Sequence, residues 1–125
     1  MNTYQKQDIP LGTIEIAPEV IERIASIAAS HVEGFKVEQG FIASVNSLLA
    51  RQQYVTGAVL TEDEKGYAID IYGSVVYGHS VPKLALAIQE KVREQLLFSC
   101  ELEINEVNVH VRSIIPVKTE AEDEE

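Results

Sequence analysis

The chain has 125 residues, of which 46% are hydrophobic and 24% are charged, a composition typical of one folded domain. Twenty acidic residues against ten basic ones give a formal net charge of −10, which repels nucleic-acid phosphates and anionic lipids. Because of this charge we expect no nucleic-acid binding. No apolar run approaches the ~18 residues of a membrane span, so we expect no direct membrane insertion. A single cysteine and an N-terminus without the apolar core of a signal peptide indicate a cytoplasmic protein.

The composition divides the chain into three parts. We expect a flexible N-terminal segment at residues 1–8, a single α/β domain at 9–117 and an acidic tail at 118–125. Five of the twenty acidic residues lie in this tail. Their charges repel one another and the tail has nothing apolar to bury, which predicts a disordered, solubilising segment.

The first half of the domain alternates between strand and helix patterns. Residues 12–16 alternate apolar and polar side chains, as in a short strand. Pro18 opens a predicted helix over 18–32, since a first-turn proline gives up an amide that has no helical partner. The side chains at helical spacing predict its buried face: Val20, Ile21, Ile24, Ile27, Ala28 and His31. Residues 41–49 predict a second, shorter helix.

The second half predicts a hairpin, a long helix and a final strand. Residues 54–61 and 67–77 have strand character and are joined by a polar turn at 62–66. Ser80 is the predicted N-cap of a helix that reaches about residue 98. Its predicted buried stripe is Val81, Ala85, Ile88, Val92 and Leu96. A strand over 104–114 completes an α/β (α+β) two-layer sandwich, with helices on one face of a mixed sheet, in the order β-α-(α)-β-β-α-β. The order of strands in the sheet is left open.

Alternation in the last two strands predicts a polar sheet face. Ile69, Ile71 and Val75 point one way, and the valines at 107, 109 and 111 match them. The opposite face carries the candidate partner surface: Asp70, Tyr72, Ser74, Asn108, His110 and Arg112. Thr13 and Glu15 fit the same pattern on the first strand. A polar sheet face is often merely solvated, but Tyr, His and Arg side chains are suited to protein interfaces.

The sequence has no sharp catalytic or cofactor-binding motif. It contains no P-loop, no dinucleotide-binding glycine pattern, no nucleophile elbow and no paired-histidine zinc helix. The three histidines lie far apart and lack metal-ligand spacing. We therefore expect no catalytic residues, no cofactor and no metal. Two weaker candidates are an anion site at the helix start, formed by Gly78, His79 and Ser80, and a thiol enzyme built on Cys100. A small, buried hydrophobic role is the favoured interpretation of Cys100.

Several short strings resemble one known family. They read LGTIEIAPEVI at residues 11–21, VEG at 32–34, VYG at 76–78 with Val81, Pro82, Gln89 and Val92, and INEVNVHV at 104–111. In this order and spacing they resemble the alkaline-shock, or envelope-stress-response, protein family of low-GC Gram-positive bacteria, over about residues 9–115. The family often ends its long helix with a Met-Thr-Gly-like turn, where this chain has residues 98–101 as Phe-Ser-Cys-Glu. Residues 35–53 diverge among family members, so no role is carried over to them.

The resemblance implies a non-catalytic cytosolic protein of cell-envelope homeostasis and alkaline or envelope stress. It implies self-association into a homo-oligomer and, in some members, attachment to the membrane through a separate anchoring protein. The branch that this chain resembles is associated with fatty-acid synthesis through acetyl-CoA carboxylase. We therefore predict a scaffold that binds protein partners, such as a membrane-anchoring protein or an acetyl-CoA carboxylase component. The alternative is a small-molecule or anion sensor at the helix start formed by residues 78–80.

Overall fold

The computed structural model describes residues 7–9, 11–38, 40–41, 54–55 and 57–117. Over these residues the chain forms two helices and eight strands. In chain order they are β1 (Gln7–Ile9), β2 (Gly12–Ile14), α1 (Pro18–Ser30), β3 (Phe35–Val37), β4 (Gly40–Phe41), β5 (Tyr54–Val55), β6 (Ala58–Asp63), β7 (Gly66–Val76), α2 (Val81–Cys100) and β8 (Glu106–Ile115).

Strand β7 is the centre of the main sheet. β6 pairs with its first part in an antiparallel hairpin, from Asp63 opposite Gly66 to Ala58 opposite Ile71. β3 pairs antiparallel with residues 73–75 of β7, and β8 runs parallel along residues 68–76. Because a strand has only two edges, β6 and β3 share one edge of β7 and β8 occupies the other. The mixed sheet and the predicted hairpin are confirmed.

A β-bulge interrupts the pairing of β7 and β8. Val111 lies opposite Gly73, but the next residue of β7, Ser74, lies opposite Ser113. Arg112 is therefore an extra residue in β8, which a bulge leaves outside the regular ladder. This irregularity cannot be read from the alternating sequence.

Both helices pack on the same side of the sheet, which confirms the two-layer fold. The core contains Ile69, Ile71 and Val75 from β7, which are 0–1% exposed. α2 adds a buried stripe: Leu84, Ile88, Val92, Leu96 and Cys100. The stripe starts at Leu84, whereas the predicted Val81 and Ala85 are only half-buried. Ser80 caps α2 as predicted, because its hydroxyl accepts the Lys83 N–H.

The buried face of α1 differs from the prediction. Val20 and Ile27 are half exposed and His31 is exposed, while Ser26 is buried. The buried residues of α1 are Ile21, Ala25, Ser26, Ala28 and Ala29. α1 packs against α2, β6 and β3 through this side. Small side chains permit close approach of neighbouring elements, so packing geometry sets the buried face rather than the positions of the larger residues.

The first predicted strand also needs correction. Residues 12–16 were predicted as a strand of the main sheet, but Gly12–Ile14 pairs with Gln7–Ile9 in a separate two-stranded sheet. Thr13 and Glu15 therefore do not extend the polar face, and residues 7 and 8 lie in β1. Alternation predicts that a segment is extended, but it does not name the partner strand.

The middle of the chain departs from the prediction as well. Gly40–Phe41 is a strand paired with Tyr54–Val55, so the predicted helix does not begin at residue 41. Residues 42–49 of that prediction lie outside the described residues, as does the acidic tail at 118–125. The predicted strand over 54–61 is two strands, β5 and β6, which join different sheets.

Candidate functional site

The polar sheet face is the side of β7 and β8 that points away from the helices. It consists of the six predicted residues: Asp70, Tyr72, Ser74, Asn108, His110 and Arg112. Opposed residues in a sheet project to the same face, and the register places Tyr72 opposite His110 and Asp70 opposite Asn108. The structure therefore brings together residues that lie about 40 positions apart in the sequence.

His110 connects the two strands across this face. Its Nε2 lies 2.8 Å from Oδ1 of Asp70, at hydrogen-bond distance. Its ring stacks on the ring of Tyr72, with 4.6 Å between the ring centroids and 14° between the ring planes. The imidazole is thus held by a carboxylate on one side and by an aromatic ring on the other.

Arg112 covers the same tyrosine ring. Its guanidinium carbon lies 4.8 Å from the centre of the Tyr72 ring, a cation–π distance. Its Nε lies 3.5 Å from Oε1 of Glu38, which follows β3. Arg112 is the extra residue of the β8 bulge and lies on the same face as His110. Five side chains thus form a continuous series of contacts, here called the aromatic–ionic row: Glu38, Arg112, Tyr72, His110 and Asp70.

The row is held in place and still accessible to solvent. The exposed fraction of the side chain is 44% for His110, 25% for Asp70, 59% for Arg112 and 45% for Glu38. Each contact has a modest strength at such exposure, about 0.5–1 kcal/mol. The row presents a planar cation, an aromatic ring and two carboxylates, groups that are suited to a protein interface.

Ser74 makes a separate contact on this face, and the sequence prediction missed two residues that contact the face, Ser113 and Glu38. The Ser74 and Ser113 hydroxyls are 2.6 Å apart, a hydrogen bond in which either can be the donor. Ser113 reaches this position because of the bulge. Glu38 lies in the segment to which no role was assigned. Its one available signal was the alternation of Phe35 and Val37 with polar residues, which is typical of a strand.

The comparisons with known proteins identify the family. The model of the alkaline-shock protein 23 family, which is described as having a cell envelope-related function, matches residues 6–116. The chain belongs to this family. It is 41% identical over 109 residues to the uncharacterized protein YqhY of Bacillus subtilis (strain 168), covering 86% of this chain and 81% of that one.

Relatives also occur in another genus. The chain is 33% identical over 110 residues to the uncharacterized protein Spy1535 of Streptococcus pyogenes serotype M6, covering 87% of this chain and 84% of the relative. It is 24% identical over 106 residues to a second uncharacterized Bacillus subtilis protein, YloU. No solved structure gives a significant match. These relatives extend over most of the folded domain, so the family assignment covers both strands of the polar sheet face.

The candidate anion site at the start of α2 has few backbone N–H groups that could donate to an anion. The second residue of the helix is Pro82, which has no N–H, and the Lys83 N–H donates to the Ser80 hydroxyl at 3.4 Å. Two of the first three helix positions therefore cannot hold an anion. The His79 ring packs on Gly34, where an added Cβ would lie 2.8 Å from the ring atoms. This favours a structural role for His79.

Cys100 ends α2 inside the core, at 4% exposure. Burial raises the pKa of the Cys100 thiol, because desolvation disfavours the thiolate. The thiolate is the nucleophilic form, so this environment works against a catalytic thiol. Within the described residues, no three His, Cys, Asp or Glu side chains are grouped closely enough to hold a metal ion. Neither α1 nor α2 is long and apolar enough to cross a bilayer.

Proposed function

We propose that this protein is a non-catalytic, cytoplasmic component of cell-envelope homeostasis that acts by self-association and by binding a protein partner on the polar sheet face. The family has a cell envelope-related function, and the proposal adds how the protein would serve it. One observation supports the docking surface above the others. The aromatic–ionic row assembles Tyr72, His110 and Arg112 into one accessible group between two carboxylates.

The physical argument is preorganisation. Tyrosine and arginine are enriched among the residues that contribute most to binding at protein interfaces. Free side chains lose rotamer entropy when a partner immobilises them, and this loss weakens binding. Stacking on Tyr72 and the carboxylate contacts at both ends of the row restrict these side chains before any partner arrives. A partner that presents carboxylates to Arg112 and an apolar or aromatic group to Tyr72 would complement this face.

The expected partner follows from the family resemblance. It is a membrane-anchoring protein or a component of acetyl-CoA carboxylase, and binding to it would place the protein at the membrane or modulate fatty-acid synthesis. The net charge of −10 supports an indirect route, since an acidic chain is repelled by anionic lipid. Attachment through another protein removes that repulsion from the binding step.

The test is crosslinking capture from native cells with the full chain and two tyrosine variants. Tyr72→Ala removes the centre of the row. Tyr77→Ala removes a tyrosine that is 68% exposed in the turn after β7 and outside the row, so it is a matched control. We expect Tyr72→Ala to reduce capture of the anchoring protein or the carboxylase component by about tenfold, as for a central interface tyrosine. Tyr77→Ala should capture as the unchanged chain does.

Both variants are first compared with the unchanged chain in urea unfolding, so that misfolding cannot imitate a lost partner. Equal capture by the two folded variants would show that the row is only a solvated surface. Loss of capture with Tyr77→Ala alone would move the docking surface to the turn before α2.

A further inference from the structure

The outer edge of β8 has hydrogen-bonding groups that β7 does not use. The Tyr72 N–H donates to the Gly57 carbonyl, and the Tyr72 carbonyl accepts the Glu38 N–H, so both groups point away from β8. In a parallel pair, the residue opposite such a position bonds to the neighbouring strand, while the residues on either side of it point outwards. His110 lies opposite Tyr72. Val107, Val109 and Val111 therefore direct their N–H and C=O groups to the outer edge.

An independent contact confirms this direction. The side-chain amide of Gln89 on α2 donates to the Val107 carbonyl at 3.0 Å, so this carbonyl points to the outer edge and has one of its two acceptor lone pairs occupied. In the part of the chain that the structure describes, no strand pairs with this edge. Lysine and proline are two of the devices that discourage pairing at an edge strand, and residues 106–112 contain neither.

The sequence of this edge is complementary to itself. Residues 106–112 read EVNVHVR, with valine at every second position, an acid at one end and a base at the other. Glu106 and Arg112 are equally far from Val109. If the segment pairs antiparallel with its own copy around Val109, Glu106 faces Arg112, Asn108 faces His110 and Val107 faces Val111. Opposite charges and β-branched residues directly across from one another both stabilise such pairs.

We propose that the outer edge of β8 binds the same edge of a second copy of this chain, antiparallel along Glu106–Arg112, with Val109 on the two-fold axis. Two features of the fold limit the pairing to this segment. β8 begins at Glu106, and the bulge at Arg112 ends the regular strand. Since these limits are equidistant from Val109, the strand itself sets the register that matches the charges.

Such a dimer joins two four-stranded sheets into one and brings two polar sheet faces next to each other. The proposed dimer rests on the proposed function in one respect, which is self-association, and it names the surface through which the chain associates. Tyr72 lies on β7, one strand away from the proposed contact, whereas His110 and Arg112 belong to both surfaces. Substitution of Tyr72 therefore tests partner binding, and substitution of Glu106 or Val109 tests dimer formation.

The first experiment measures the mass of the purified full chain by sedimentation equilibrium over a range of concentrations. A dimer is expected, and a monomer at every soluble concentration overturns the inference. Glu106→Arg places like charges opposite one another twice in the symmetric contact, which should raise the dissociation constant about tenfold. Arg112→Glu should act in the same direction. The double variant restores both pairs with reversed sign and should return to within about threefold of the original value.

Glu62→Arg is the matched control for the change in net charge. Glu62 is exposed on β6, on the opposite side of β7 from β8, and should leave the dissociation constant unchanged. A dimer that none of these charge changes affects uses another surface and also overturns the inference.

A crosslinking experiment tests the two-fold axis directly. Antiparallel residues opposite each other across an axis lie about 5.5 Å apart at Cα, within reach of a disulfide. Val109→Cys should therefore give a covalent dimer on mild oxidation, whereas Val59→Cys on β6 should not. Crosslinking of both variants or of neither contradicts the proposed axis. Retained dimerisation with unchanged partner capture by Tyr72→Ala would instead contradict the proposed function and leave the β8 contact standing.

Discussion

The two sides of β7 use alternate residues of one strand for different purposes. Ile69, Ile71 and Val75 are almost fully buried beneath the helices. On the other side, Asp70 and Tyr72 make their contacts with His110 and Arg112, whose side chains are about half exposed to solvent. The backbone is the same for both sets, so the difference arises from what packs against each side.

The comparison separates the residues that hold the fold from those available for binding. A buried isoleucine loses most of its water contact and packs against many neighbours, which contributes several kcal/mol. An exposed pair competes with water and contributes about 1 kcal/mol or less. The polar sheet face can therefore change without unfolding the domain, whereas the buried side cannot. The following substitutions test this asymmetry, starting with the largest expected effect.

Replacing adjacent residues of β7 gives the sharpest contrast. Ile71→Ala leaves a cavity at a fully buried position and should lower the free energy of unfolding by about 3–4 kcal/mol. Tyr72→Ala removes a half-buried ring and its stacking and should cost about 1–1.5 kcal/mol. Urea unfolding followed by circular dichroism measures both values. Equal losses would mean that the polar sheet face is as important to the fold as the core.

A methyl group added at Gly73 tests the buried side without removing any contact. An added Cβ would lie 2.4 Å from the Lys36 carbonyl oxygen and 2.5 Å from Cζ of Phe35, so β3 must shift. We expect Gly73→Ala to cost about 2 kcal/mol, as overpacking does in other cores. Ser74→Ala is the control on the opposite side, where only the Ser113 hydrogen bond is lost, for about 1 kcal/mol. A stable Gly73→Ala would show that β3 is loosely held against β7.

The Asp70–His110 contact on the polar sheet face should have the smallest effect. Asp70→Asn removes the carboxylate that lies 2.8 Å from Nε2 of His110 and should lower stability by about 0.5 kcal/mol. The difference should shrink in concentrated salt, because exposed charges are screened. Unfolding in low and high salt measures it, with Glu62→Gln on β6 as an acidic control that has no histidine opposite. A salt-independent loss above about 2 kcal/mol would indicate a desolvated pair rather than an accessible one.

Much of the site could be predicted because strand alternation is a local property. Assigning the polar residues of β7 and β8 to one face required only the two-residue period of a strand, and the structure places them on one face. Glu38 and Ser113 were missed for different reasons. Glu38 depends on β3 joining β7, a contact between distant segments. Ser113 depends on the bulge, which shifts the register by one residue with no mark in the sequence.

The sequence by itself determined the two-layer α/β fold, the hairpin of β6 and β7, the capped helix α2 and the family. These follow from patterns within a few residues, because hydrophobic periodicity and capping act over one or two turns or strands. The tertiary structure alone decided which strands share a sheet, which side of α1 is buried and how Arg112 comes to lie over Tyr72. Those outcomes depend on the packing and register of elements far apart in the chain, which local periodicity does not encode.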